Sequence, residues 1–465
     1  MKNISKTISI FFSIFSIFLL AYLVYRSEFY YSGTKFDYYS YYYVISFVFI
    51  ILSGLSFFLK KEIKMNLTIG LFSTIFGLYL IECYLDITNK NLIANNFGPT
   101  QGLASKDPNR DIEIKKSNIE YDTRTKFQFY KDLKKKDPNV TVAFITTIFL
   151  NQGWDKESKQ EIFPFNAGIS KKKTVHCNEN GYFSVYQSDR YGFNNPNEEW
   201  DKNIEFFLVG DSFTHGYCVN ELDTISGNLR RILNSKNGVL NLGRGGSASL
   251  VEYATLREYL PITNTKRVLW LYFENDLEGL KNELNNKILM NYYLDKNFTQ
   301  NLIKKQDELD IILQNLFIKL ENQKKDQGKH FDYLKFFKLY TLREMTIHRI
   351  MSKKSYSNEN FEIDEFEKIM SLSKELVKNN KAELYFIYLP MYYRYSQNLN
   401  RKDFMNYDKV IEIIKNLNIP IIDIKKEVFD KHEDPLSLFP FRAEGHYNEL
   451  GYKLIAEEIN SQILN

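Results

Sequence analysis

The stretch "FFLVGDSFTHG", Phe206–Gly216, decides how the rest of the chain is read. Four apolar residues form the pattern of a buried strand; Gly210, Asp211 and Ser212 interrupt it, and the sequence beyond turns helical. A serine placed where a core strand ends and a helix begins is either a helix cap or a nucleophile. What the other strand ends carry separates the two.

From Asn203 onward apolar runs and helical patterns alternate. Strands are predicted at Ile204–Val209, Val239–Leu242, Arg267–Phe273, Ala382–Leu389 and Ile419–Ile424. Helices are predicted at Leu250–Leu260, Phe366–Asn379 and Phe404–Asn416, with a closing helix from about Asn448 to Leu464. Nearly continuous apolar strands alternating with helices predict an α/β fold, a parallel sheet covered on both faces. Residues 277–360 interrupt the alternation with long, charged helical sequence, read as a helical insertion of packed helices because its heptad-like stretches do not persist.

Ligands of open α/β sheets bind beyond the carboxyl ends of the strands. The first strand here ends in Gly210-Asp211-Ser212, the second in "NLGRGGS" (Asn241–Ser247), and the third in "YFENDL" with Asn275 and Asp276. Just before the last helix comes "FRAEGHYNELGY", with Glu444 and His446. In order and spacing these four blocks resemble the SGNH (GDSL-type) hydrolase superfamily, over about residues 203–465. Residues 121–200 also look like the N-terminal region of membrane-linked bacterial members. The α/β-hydrolase elbow G-x-S-x-G is absent, since position 214 is Thr.

The resemblance implies a flavodoxin-like three-layer α/β/α domain and a serine esterase. It makes Ser212 the nucleophile and His446 the base that takes its proton. The oxyanion hole would be the backbone N–H groups of Ser212 and Gly246 and the side-chain amide of Asn275. Two positions depart from the family pattern. Phe273 stands where the third block usually has glycine, and Ala443 stands where the triad acid usually lies. Glu444, two residues before His446, is the expected acid, with Asp434 the other candidate. Asp211 is expected to fix its loop, Asn241 and Asp276 to hold turns, and His215 to lie at the rim of the site or contact substrate. No His/Cys/Asp set has metal-ligand spacing and no glycine loop matches a phosphate or dinucleotide fingerprint, so neither metal nor cofactor is expected.

The first hundred residues have another character. Ile8–Tyr25, Tyr41–Leu59 and Leu67–Leu85 are apolar segments of about 18–19 residues, close to the length that spans the hydrocarbon core. The first lacks a small-x-small cleavage site, which argues against a signal peptide. Lys2, Lys6, Lys60, Lys61 and Lys64 place the N-terminus and the "KKEIK" turn in the cytoplasm by the positive-inside rule. Three spans then deliver the rest of the chain to the outside, with Glu82 near the outer interface. Cys83 falls in the third span; Cys177 and Cys218 are left in the exported part, where they either pair or stay as buried thiols. The net charge of +4 is small for 465 residues and dispersed, which excludes a nucleic-acid footprint.

The expected organisation is three transmembrane helices in residues 1–87, a polar stem in 88–120, an accessory region in 121–202 packed on the hydrolase, and the SGNH domain in 203–465. The expected activity is that of a membrane-anchored, extracytoplasmic serine esterase or deacetylase. It would act on O-acyl groups of envelope saccharides through an acyl-enzyme. Two alternatives stand beside it: a polysaccharide O-acetyltransferase dependent on a membrane acyl-donor partner, and a glycan-binding protein that has lost catalysis.

Overall fold

The computed structural model describes residues 2–31, 33, 36–93, 110–117, 120–150, 162–234, 236–326, 336–343, 362–396 and 406–464. Most of the expected stem, residues 94–109 and 118–119, lies outside them, as do residues 327–335 and 344–360 of the insertion. The chain divides into two compact units: Met1–Leu92 with Phe331–Glu359, and Ile93–His330 with Asn360–Asn465.

The first unit holds helices α1 (Lys2–Val24), α2 (Phe36–Leu55) and α3 (Lys61–Ile93). Its segments Lys6–Tyr30, Tyr38–Phe58 and Lys61–Leu85 are long and apolar enough to cross a membrane, with mean hydropathies of 2.3, 1.9 and 1.5. Small polar groups satisfy one another between them: Lys64 Nζ donates to Ser9 Oγ at 2.9 Å, and the hydroxyls of Ser13 and Ser53 are 3.4 Å apart. A helical turn, Tyr340–Arg343, belongs to the same unit although the chain reaches it through the insertion.

In the second unit a short helix, Arg110–Ser117, precedes helix α4 (Lys126–Lys136), which is started by a capping box in which Thr125 and Gln128 satisfy each other's backbone N–H groups. A small sheet follows, β1 (Val140–Val142), β2 (Lys173–Val175) and β3 (Val185–Gln187), in that order. The main sheet comprises β4 (Ile204–Gly210), β5 (Gly238–Asn241), β6 (Thr265–Phe273), β7 (Glu383–Leu389) and β8 (Ile421–Asp423), all parallel, in the order β5-β4-β6-β7-β8. Counted within this sheet the order is 2-1-3-4-5, the flavodoxin-like arrangement.

Alternation along each strand builds the three layers. Phe207 and Val209 of β4 face one core with Val268 and Trp270 of β6, under helices Ser249–Tyr259 and Ile363–Asn379. Phe206 and Leu208 face the other core with Leu269 and Leu271, under helices Ile225–Ile232 and Glu449–Leu464. Every residue of β4 is buried, as a central strand covered on both sides requires. The last strand is shorter than its apolar run: Pro420 has no N–H for the ladder, and Ile424 already has helical dihedrals.

Candidate active site

Because β4 lies between β5 and β6, the chain leaving these three parallel strands emerges side by side at one sheet edge. Ser212 follows β4, the Gly243–Ser247 turn follows β5, and Asn275 follows β6. Gly210 makes the turn possible. A Cβ there would lie 2.1 Å from Thr214 Oγ1 and 2.5 Å from the Leu271 carbonyl. Asp211 caps the short helix Ser212–His215, its Oδ1 accepting the Phe213 N–H at 2.8 Å. Asp211 thus fixes its loop, and burial pushes its carboxyl up to about 6.

Ser212 is 8 % exposed, and its Oγ lies 2.9 Å from His446 Nε2 and 3.2 Å from Asp211 Oδ2. On the far side of the ring, Nδ1 is 3.1 Å from both carboxylate oxygens of Glu179. The His446 backbone N–H also donates to Glu179 Oε2, at 2.8 Å. An acceptor-only carboxylate at Nδ1 keeps the ring hydrogen there and leaves Nε2 as the acceptor facing the serine. The rings of Phe213 and Tyr217 pack against the imidazole, each with its centroid 4.6 Å away and tilted by 42° and 34°.

The carboxylate that meets His446 is therefore Glu179 and not the expected Glu444. Both the ring and the backbone N–H of His446 are occupied by the one buried carboxylate, which leaves Glu444 no hydrogen of His446 to accept. Asp434 is engaged elsewhere, in an ion pair with Arg442. Gly445 is what admits Glu179: a Cβ on it would stand 2.9 Å from Glu179 Oε2. The sequence does contain one signal for this residue. Cys177 and Cys218 are joined by a disulfide, which fastens the segment two residues before Glu179 to the chain six residues after Ser212.

His215 is also placed differently from expectation. It is fully buried, with its ring stacked on His176 at 4.2 Å, so it neither lines a rim nor meets solvent. Burial, reinforced by Arg244 and Lys126, pushes it down to about 3, and burial likewise lowers His176, so both rings are neutral. Asn241 holds its turn through Gly243 N–H, 2.9 Å from Oδ1, and through Nδ2 on the Thr214 carbonyl at 2.8 Å. Asp276 accepts the Phe273 N–H at 2.8 Å. Phe273, the residue in place of glycine, stacks on Phe213 with centroids 3.7 Å apart, and so supports the ring beneath His446.

Residues 121–150 and 162–202 reach the same edge. Thr146 donates its N–H to the Gly245 carbonyl at 2.9 Å, and its hydroxyl lies 2.8 Å from that of Ser247. The polar loop Ser188–Trp200 folds around the Asp189 carboxylate, which accepts from Tyr191 and Phe193 N–H, Asn195 Nδ2 and Trp200 Nε1. Asn195 ties that loop to Asn241 through a donated and an accepted backbone bond. Gly246 has φ +73°, and the exposed side chain of Asn275 does not cap the helix it precedes. Among the described residues no group of three or more His, Cys, Asp or Glu side chains is arranged to hold a metal ion.

The arrangement can move a proton from a serine hydroxyl to an imidazole backed by a carboxylate, which is what makes a serine nucleophilic. No family model matches the chain, and no curated protein matches it. Among solved structures it is similar to a lipase/acylhydrolase from Enterococcus faecalis, at 14% identity over 56% of this chain and 95% of that one, with a TM-score of 0.33. It is similar to an acetyl xylan esterase at 12% identity, over 56% of this chain and 100% of that one, TM-score 0.33. A member of the lipolytic protein G-D-S-L family from Veillonella parvula is similar at 12% identity over 56% and 98%, TM-score 0.32. At such TM-scores the likeness carries nothing about activity, for which the side-chain geometry is the evidence.

Proposed function

We propose that this chain is a membrane-anchored serine esterase of the SGNH type. It removes small acyl groups from hydroxyls of envelope saccharides on the outer side of a cell membrane. The observation that carries this reading is the continuous line from Ser212 Oγ to His446 Nε2 and from Nδ1 to Glu179. A serine that were only a helix cap would not need it; here the capping is done by Asp211.

In the proposed reaction Ser212 Oγ attacks the ester carbonyl carbon while its proton passes to His446 Nε2. The Glu179 carboxylate faces the imidazolium that forms. Negative charge on the carbonyl oxygen is met by the N–H groups of Ser212 and Gly246 and the amide of Asn275. The C–O bond to the sugar breaks, its oxygen taking the proton from His446, and an acyl-serine remains. Water then gives a proton to His446 and adds to the acyl carbon; the bond from that carbon to Ser212 Oγ breaks, Oγ takes the proton back from His446, and the acid leaves. The apolar helices of the first unit and the lysines flanking them support anchoring with the hydrolase unit outside.

Hydrolysis of p-nitrophenyl acetate by the full chain in detergent, beside Ser212→Ala and His446→Ala, tests the reading. A loss of about 10³-fold or more in both folded variants is expected. Activity retained in Ser212→Ala, or no fluorophosphonate label on Ser212 in the wild type, would reject it in favour of a binding role.

A further inference from the structure

The segment 336–343 belongs to the unit of apolar helices, although its neighbours in sequence belong to the hydrolase insertion. Glu82, near the C-terminal end of α3, is buried, and its two carboxylate oxygens accept the backbone N–H groups of Thr341 and Leu342, each at 2.8 Å. One turn earlier on α3, Tyr79 donates its hydroxyl to the Phe337 carbonyl at 2.9 Å. The Tyr79 ring packs against Phe336 and Phe337, with centroids 5.3 and 6.5 Å away. The Arg343 guanidinium sits 6.0 Å over the ring of Tyr42, near the start of α2. Because α2 and α3 are consecutive spans, the start of one and the end of the other lie at the same membrane face.

A buried carboxylate at a span end, paired by two backbone N–H groups, fixes this segment against the helix. It still leaves Phe337 65 % and Tyr340 38 % exposed. Their surroundings say what covers them. The flanks of α3 beside Tyr79 and Glu82 are the outward-facing Phe76, Leu80, Ile81 and Tyr84 of a segment whose apolar window is only 6% buried within the protein. Aromatic rings next to a Lys and an Arg at the end of a span are the composition of the membrane–water boundary, where amphipathic rings take the headgroup level.

We infer that residues 336–343 are an interfacial anchor, with Phe337 and Tyr340 seated at the boundary between lipid headgroups and acyl chains and held at that depth by Glu82. The hydrolase unit is then linked to the membrane unit not by one stem but by three chain connections, after residues 92, 330 and 359. This rests on the reading that α1–α3 span a bilayer.

Nitroxide labelling of the full chain in vesicles of phosphatidylcholine and phosphatidylglycerol tests it. Cysteine would be placed singly, in a Cys83→Ser background, at Phe337, at outward-facing Phe76 and at exposed Lys131. Label at 76 should collide with oxygen far more than with a water-soluble nickel chelate, and label at 131 the reverse. An oxygen-favouring label at 337, shallower than at 76, is the expected result. It should move toward the behaviour of 131 when Glu82→Leu removes the carboxylate. Chelate access at 337 equal to that at 131 would overturn the anchor, as would shielding from both reagents, which would mean a protein partner or second copy. A label at 337 indifferent to Glu82→Leu would overturn the role of Glu82. A chelate-accessible label at 76 would overturn the spanning reading itself, separately from the anchor.

Discussion

Glu179 holds His446 at two points with one carboxylate, the ring through Nδ1 at 3.1 Å and the backbone through its N–H at 2.8 Å. The two residues are 267 positions apart, and their contact joins the accessory segment to the loop before the closing helix. Removing the charge while keeping the shape should disorder the tautomer without unfolding the site. Glu179→Gln is expected to lower kcat by about 10²–10⁴-fold, and Glu444→Gln to change it less than about twofold. Steady-state kinetics with a circular dichroism check on folding would decide it; equal losses in the two would return the role to Glu444.

Gly445 is required for that approach. The methyl of Gly445→Ala would lie 2.9 Å from Glu179 Oε2, inside the contact distance, so the carboxylate has to move. A fall in kcat of about tenfold with KM little changed is expected, because misplacement by a fraction of an ångström affects proton transfer more than binding. Unchanged kcat would show that the loop absorbs the methyl.

The disulfide carries Glu179 into place as well as stabilising the fold. Its ends are 41 residues apart, for which loop-closure entropy gives about 4 kcal/mol. Cys177→Ser with Cys218→Ser should lower the Tm of the hydrolase unit, and should lower kcat even at temperatures where the fold is intact. Activity independent of the bond would mean that packing alone positions the acid.

Glu252 is buried with neither carboxylate oxygen in a close hydrogen bond among the described residues, and burial, with Asp211 nearby and Trp270 opposing, raises its carboxyl well above the usual range. A carboxyl raised on folding contributes its full stability below the ordinary carboxylate value and loses it as pH climbs through the folded value. Glu252→Gln, which resembles the protonated form, should match the wild type near pH 4 and exceed it by on the order of 1 kcal/mol or more near pH 8. Thermal unfolding at the two pH values is the measurement. A variant less stable at both would show that the carboxylate has a partner when ionised.

The sequence by itself determined the elements that depend on neighbouring residues. Apolar length marks the three helices that can cross a membrane, and alternating periods mark the parallel sheet and its covering helices, because burial on both faces leaves near-continuous apolar runs. It also showed Ser212 on a strand-to-helix turn, just after Gly210 and Asp211. What it could not determine is which carboxylate meets His446. No periodicity marks Glu179 within "HCNEN", whereas Glu444 is two residues from the histidine and looks the nearer partner. Proximity along the chain does not fix proximity in space. The choice is made by the packing of the accessory segment, the Cys177–Cys218 bond and the bare Gly445. The same holds for His215, whose place early in a helix suggested a rim and whose ring the accessory region covers with His176. It holds again for residues 336–343, charged and aromatic in sequence, which only the tertiary structure returns to Glu82.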